Sequence, residues 1–341
     1  MSITVAVLVP PVQTTRPPPT DLPIVRALTR GATIDVHLVF GFDIFKNMNS
    51  VWIKGLEIQN NKWIESNRTI DIIHDRFPSQ IRKKHFEQMQ ILTQDILWGN
   101  PFETTMICRD KLLCQQMLES GGCRLPEVIE THSRFQDALE NWGSAFLKPR
   151  FGALGIGVTH VRPGSQLPSA LPSVVPHHED PSILQRAIQA PKGWSGMSVR
   201  QLIQKLPDGS WMPRTPVLRH SKTDPVVNVA RGAQASPAAT ILPSDTIDAI
   251  QQQSLLACQI LDDQPNGLTN VEFGLDFVID PHFAPWLIEV NSRPRGRLEF
   301  LAEQMPAKYR REHEQACLQP ILTLASIAKK NKNAHRTFSS Q

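Results

Sequence analysis

The chain has 341 residues, 40% hydrophobic and 20% charged, with a formal net charge of +4. That length accommodates two or three domains with real cores, and the composition is that of an ordinary soluble globular protein. Such a balance, with no basic stripe, no apolar run longer than segments such as VAVLV and no secretory leader pattern, argues against a nucleic-acid binder, a membrane-spanning protein and a secreted one.

Thr4 to Val9 reads as a short buried strand, and TDLPIVRALTRG as a helix with Thr20 or Asp21 as cap, Pro23 in the first turn and Gly31 as terminator. A strand at Ile34 to Phe40, a hairpin VWIKGLEIQ-NN-KWIES and a buried run TIDIIHDR complete a small α/β domain ending near residue 100. His74, Asp75 and Arg76 close that last strand, where open α/β sheets bind ligands; a local salt bridge is the alternative. Asp110 caps a helix DKLLCQQMLES that ends at Gly121 and Gly122, and Ser133 with Gln136 has capping-box spacing for a helix to Trp142. The five cysteines have no CxxC or zinc-type spacing and fit reduced, mostly buried thiols.

SAFLKPRFGALGIGVTHV follows, a strand carrying Lys148, a loop with Gly152, Gly155 and Gly157, and a second strand. Glycines that open a helix can cradle phosphate, whereas this GxxGxG joins two strands and could close over phosphates only as a flap. Residues 162–182 form a proline- and serine-rich connection. PSILQRAI then reads as a strand, and Asp208-Gly209 marks a hairpin between Arg200 and Arg219. VVNVARGAQA leads to a helix from Ser244 to Leu261 whose core face holds Ile247, Ile250, Leu255, Cys258 and Ile260 or Leu261. The chain closes with a helix from Lys308 to Ala328 and a polar, basic tail expected to fray.

The stretch VEFGLDFVID-PHFA-PWLIEVNSRPRGR alternates in both halves. Val271, Phe273, Leu275, Phe277 and Ile279 share one face of the first strand, with Glu272, Asp276 and Asp280 opposite. In the second, Trp286, Ile288 and Val290 share a face, leaving Glu289 and Asn291 on the other. Pairing Asp280 with Pro285 sets Asp276 opposite Glu289 and diagonal to Asn291. Two carboxylates and an amide oxygen in one patch repel unless a cation neutralises them, and Mg2+ prefers such hard oxygen ligands. The alternative is the wet face of an ordinary hairpin.

The ordered segments DKLLCQQML, FLKPRFGALGIGV, ILQRAI, VRQLIQKLPDGSW, VLRHS, VVNVARGA, GLDFVID and WLIEVNSRPRG, spread over residues 105–300, resemble the ATP-grasp superfamily, and within it the endospore coat-associated ATP-grasp proteins. The resemblance implies an ATP-grasp fold, α/β and α+β, with an N-terminal pre-ATP-grasp α/β domain at 1–102. A lid subdomain at 103–186, a metal-binding subdomain at 187–330 and a tail at 331–341 would follow. It makes Asp276, Glu289 and Asn291 ligands of one or two Mg2+ ions, with Mn2+ able to substitute. Lys111, Lys148 and the flap glycines Gly152, Gly155 and Gly157 would hold the ATP phosphates, and Gln185, Arg186, Ala187 and Ile188 would line the adenine pocket. Arg219, Arg200 and Asn228 would act at the transferred phosphoryl, and Arg293 and Arg295 would hold a substrate carboxylate.

The activity so implied is a carboxylate-amine ligase acting through an acyl phosphate on an amino acid or peptide, in a cytoplasmic protein with a homodimer allowed. A non-catalytic ATP-binding or coat-assembly protein and a kinase on the same fold are the alternatives. One departure stands out. Relatives often have Asp two residues before the arginine placed at Arg200; here Ser198 stands there, which weakens the expectation that Arg200 is held in an ion pair.

Overall fold

The computed structural model of the protein describes residues 2–9, 23–29, 35–59, 62–76, 89, 91–131, 134–151, 155–167, 181–227, 233–264, 269–294 and 298–339, which form three sheets. The first contains β1 (Thr4–Leu8), β2 (His37–Asn47), β3 (Ser50–Gln59), β4 (Lys62–Thr69), β5 (Ile72–Asp75) and β6 (Leu97–Gly99), in the order β4-β3-β2-β1-β5-β6. β1 pairs in parallel with both β2 and β5, and every one of its residues is buried. An unbroken apolar run is what a central strand covered on both faces requires. One cover is α1 (Pro23–Thr29), which brings Ile24, Val25 and Leu28 to the core. β2 outruns the strand expected at Ile34 to Phe40 and turns back into β3 through Met48, whose φ is 52°.

Two helices lead out of this sheet. α2 (Phe102–Arg109) was not foreseen, and α3 (Lys111–Ser120) is capped by Asp110, whose carboxylate accepts the Leu113 N–H at 3.1 Å. The second sheet follows: β7 (Val128–Glu130), β8 (Ala145–Pro149), β9 (Thr159–Val161) and β10 (Ser182–Arg186), antiparallel in the order β7-β10-β8-β9. α4 (Phe135–Trp142) packs Phe135, Ala138 and Leu139 against it; the expected cap Ser133 lies outside the described residues. β8 and β9 are direct neighbours, so the glycine segment between them is a strand-to-strand connection as expected.

The third sheet holds β11 (Gly196–Lys205), β12 (Trp211–Pro213), β13 (Val217–Ser221), β14 (Gln234–Pro237), β15 (Glu272–Ile279) and β16 (Pro285–Asn291). Its order is β14-β13-β11-β15-β16, with β12 on the far end of β11. α3 and α5 (Ser244–Asp262) cover one face, and α5 buries Ile250, Ala257, Cys258 and Leu261; Ile247 and Leu255 lie at the edge of that core. α6 (Glu299–Gln304) and α7 (Pro306–Ser339) close the chain. α7 packs Ile321, Leu324 and Ala325 beneath the first sheet. It also runs past the Ala328 end expected from the sequence, because Lys332 pairs with Asp71 at 2.6 Å and Lys330 donates to Pro207 O. None of the helices among the described residues is long and apolar enough to cross a membrane.

The β15–β16 hairpin departs from expectation in an instructive way. Ile279, not Asp280, pairs with Pro285, because Asp280 turns the chain, donating its N–H to Ala284 O and accepting from His282 N and Ala284 N. That one-residue slip would place Asp276 opposite Ile288. A bulge at Asp276/Phe277 absorbs Ile288 and restores Asp276 opposite Glu289. The core residues on β16 are consequently Leu287 and Val290, and Ile288 and Trp286 are only half-buried, which corrects the expected Trp286, Ile288 and Val290 face.

The first and third sheets are joined by buried polar groups. Asn100, at φ 55°, donates to Glu272 O (2.6 Å) and Ser292 O (2.7 Å) and accepts from Val271 N (2.8 Å). Arg76 reaches Glu272 (3.3 Å) and Pro294 O (3.0 Å). Asp75, through Arg293, and Arg76 therefore make long-range ties across the chain in addition to any local pairing. Asn100→Ala is expected to strip partners from several buried backbone groups and cost about 3 kcal/mol, read as a shift of the urea midpoint at unchanged slope.

Candidate functional site

A cavity of about 1040 Å³ opens between the second and third sheets. Its floor is the polar face of the third sheet, where pairing places Arg200 opposite Asp276 on β15 and Ser198 opposite Arg219 on β13. Arg200 grips Asp276 with two bonds of 2.6 Å, Nε to Oδ1 and Nη2 to Oδ2, and Arg219 Nη2 adds a third at 2.6 Å. The departure at Ser198 therefore does not leave Arg200 unpaired, because its carboxylate comes from the neighbouring strand. Burial by itself would raise the Asp276 carboxyl, but the charges and hydrogen bonds of Arg200 and then Arg219 outweigh it and hold the group below its ordinary value. Asn291 donates weakly to Asp276 Oδ2 (3.3 Å) and Gly274 O (3.4 Å).

Across the cavity, the second sheet contributes Lys148, with Lys111 at the first turn of α3 nearby. Lys148 is buried, and burial pulls its ammonium down to about 8 against the opposing pull of Glu289. Its Nζ donates to Gln185 Oε1 at 2.5 Å. Gln185, Arg186, Ala187 and Ile188 all line the wall. The Arg186 and Ala187 N–H groups are already taken by Glu127 O and Ser144 O, which leaves Ile188, whose N–H has no partner among the described residues, as the backbone donor at this edge.

Gly155 (φ 70°) lines the cavity, and Gly157 (φ 74°) sits in the same turn without reaching the wall. Gly152, Asn228 and Arg295 lie outside the described residues. Arg293 lines the cavity but holds Asp75 of the first sheet at 2.5 Å, so the carboxylate it grips belongs to the protein. The sequence reading missed Phe146 and Trp194 on the wall. Phe146 was within reach, since it precedes Lys148 by two on one strand and must share its face. It also missed Gln115 on α3, which donates to Pro126 O and accepts from Gln185; a lone polar residue in an amphipathic helix carries no such signal.

The floor fits a hard divalent cation. Glu289 carries no hydrogen bond or ion pair among the described residues, and Asn291, having turned its N–H toward Asp276, presents its oxygen elsewhere. No three His, Cys, Asp or Glu side chains that could hold a metal converge among the described residues, and both oxygens of Asp276 already accept from guanidiniums, so Glu289 is the carboxylate here without a bonded partner among them. Asp276 stays ionised in the folded state to a lower pH than in the unfolded chain. Its contribution to stability is thus complete above the unfolded value and lost as pH falls through the folded one. Asp276→Asn should cost about 3 kcal/mol at neutral pH by leaving two guanidiniums without their counter-charge. Denaturant midpoints measured down to about pH 3 should show a smaller acid loss in the variant than in the wild type.

The architecture has solved counterparts. A D-alanine-D-alanine ligase from Coxiella burnetii is 12% identical with a TM-score of 0.60, covering 99% of this chain and 98% of that one. The Bacillus anthracis D-alanine–D-alanine ligase complexed with ATP is 14% identical with a TM-score of 0.58, over 96% and 99%. The VanG D-Ala:D-Ser ligase of Enterococcus faecalis is 10% identical with a TM-score of 0.56, over 95% and 100%. These likenesses show an ATP-grasp fold with an N-terminal α/β sheet domain. Among curated proteins none matches the sequence significantly. The model of the YheC/D-like ATP-grasp family matches residues 107–319, from the end of α2 through the β15–β16 hairpin into α7, and the chain belongs to that family.

Proposed function

We propose that the protein is an ATP- and Mg2+-dependent carboxylate-amine ligase that works through an acyl phosphate. The observation that carries this reading is the facing of Glu289, Asn291 and the arginine-held Asp276 on one wall against Lys148 on the other. Glu289 and Asn291, with Asp276, would hold the cation, which when bound neutralises charge between the carboxylates and phosphate oxygens. Lys148 and Lys111 would attract the phosphates, the turn at Gly155 would close over them, and the backbone at Ile188 would meet the base.

Arg219 and Arg200 would face the charge that develops on a transferred phosphoryl, with Asp276 holding both in orientation. Pre-oriented guanidiniums stabilise such charge without reorganising during the step. In that step a substrate carboxylate oxygen bonds to the γ-phosphorus and ADP leaves. An amine then attacks the acyl carbon, phosphate leaves, and the amine gives up a proton. The solved proteins of this fold include ligases named for joining D-alanine to D-alanine or D-serine, which supports amino acids or small peptides as substrates.

Incubation with ATP, Mg2+ and mixed amino acids is expected to release ADP and free phosphate together. Phosphate retained on a hydroxyl product would identify a kinase, and nucleotide binding without ADP a non-catalytic protein. Glu289→Gln should abolish turnover while leaving the melting temperature near wild type, since it removes a cation ligand and no core contact. Lys148 is protonated below about 8 and neutral above it. ATP affinity measured by titration calorimetry should accordingly fall as pH rises through that value, and Lys148→Met should flatten this alkaline limb.

A further inference from the structure

We infer that Gln115 is a positioning residue for the nucleotide site, acting through Gln185 to hold Lys148 in the cavity. This inference rests on the proposed nucleotide role of Lys148. The argument is one of donors and acceptors. The carbonyl oxygen of Pro126 can only accept, so the bond from Gln115 must come from its amide nitrogen, Nε2. That choice leaves Gln115 Oε1 as an acceptor, and Gln185 Nε2 donates to it at 2.7 Å. Gln185 is then left with Oε1 as its free end, and Lys148 Nζ donates there. A single backbone carbonyl thereby sets the sense of two side-chain amides, and the last of them offers the lysine an acceptor.

All three side chains are buried, at 4% exposure for Gln115, 3% for Gln185 and 8% for Lys148. Water is therefore a poor substitute for any link, and a reversed amide would set N–H against N–H at the lysine. The elements joined are distinct: α3 supplies Gln115, β10 supplies Gln185 and β8 supplies Lys148. The ladder places Leu184 opposite Leu147 and Ile183 opposite Lys148, so Gln185 is not the directly paired neighbour of Lys148. Backbone pairing does not by itself aim the ammonium; the side-chain chain does. With one N–H directed to Gln185, the ammonium keeps its other two for a ligand. The side chain of Gln185 is occupied in this chain, so its contribution to the wall is to orient the lysine.

The test is a cycle of ATP dissociation constants and melting temperatures on the full chain, for wild type, Gln115→Met, Gln115→Glu, Lys148→Met and the Gln115→Met/Lys148→Met pair. Gln115→Met keeps the length but cannot accept from Gln185, and should weaken ATP binding about tenfold. Gln115→Glu retains an oxygen for Gln185 in either protonation state and should bind ATP close to wild type even if its melting temperature drops. The double variant should bind no more weakly than Lys148→Met alone, because in the inferred relay Gln115 acts on the ligand through the lysine. Wild-type affinity in Gln115→Met beside weakened binding in Lys148→Met would overturn the relay and leave the nucleotide reading standing. Equal losses in the Met and Glu variants, or a Gln115→Met penalty that persists undiminished without the lysine, would mark Gln115 as merely structural and overturn it too. An unchanged affinity in Lys148→Met would overturn both readings at once.

Discussion

The carboxylate of Asp276 is the constraint on which the cavity floor depends. It sits on a central strand with its side chain buried, where an isolated negative charge is strongly disfavoured. Two arginines from successive neighbouring strands, Arg200 on β11 and Arg219 on β13, resolve that cost by converging on it. Without it each guanidinium would lose its bonded partner here and favour keeping its charged head in water. Removing the carboxylate would release both, so one acidic residue decides how two cations point into the cavity. Glu289, directly across the ladder, has no such neutralising partner among the described residues and is the charge left available to a ligand.

The opposition of Asp276 and Glu289 survives because two irregularities cancel. Asp280 needs an extra turn residue to place its carboxylate against the His282 and Ala284 N–H groups, which shifts the strand register by one. The bulge at Ile288 shifts it back. Alternation in the sequence identified both acidic residues and their relative placement, because period two is a local property of any strand. It could not reveal a compensated slip, since a bulge is set by packing of Leu287 and Val290 against α3 and α5 rather than by the hairpin's own residues. The same limit explains why Arg200 was expected to be poorly held: the reading looked for its partner two residues away along β11, while the partner arrived from 76 positions downstream.

Other features were legible for a physical reason as well. The glycine segment was recognisable as a connection between two strands because strand patterns flank it on both sides. The long closing helix was underestimated because its last turns are polar, and polarity alone suggests fraying. Lys332 and Lys330 anchor those turns to the first sheet and to the β11–β12 turn, contacts that depend on tertiary placement. Long-range partners of polar residues are the common gap. Asn100, Gln115 and Arg76 each earn their position from groups far along the chain, and no local pattern announces them.

The two walls of the cavity divide the electrostatic work differently. On the floor the guanidiniums of Arg200 and Arg219 both hold the carboxylate of Asp276, while Glu289 carries no ion pair among the described residues. The roof brings Lys148 and Lys111 to the cavity. A polyanion entering the cleft is attracted to the roof but meets Glu289 on the floor, and its approach is favourable on both sides only when a cation sits over Glu289. Under the proposed function a hard divalent ion and a phosphate chain would complement each other here: the ion alone would face the lysines, and the phosphates alone would face the carboxylate. The first and third sheets are bound together through Asn100 and the Arg76–Glu272 pair, which ties the floor to the N-terminal sheet. Opposite the floor, the lysine of the second sheet is held by a side-chain chain of its own through Gln185 and Gln115.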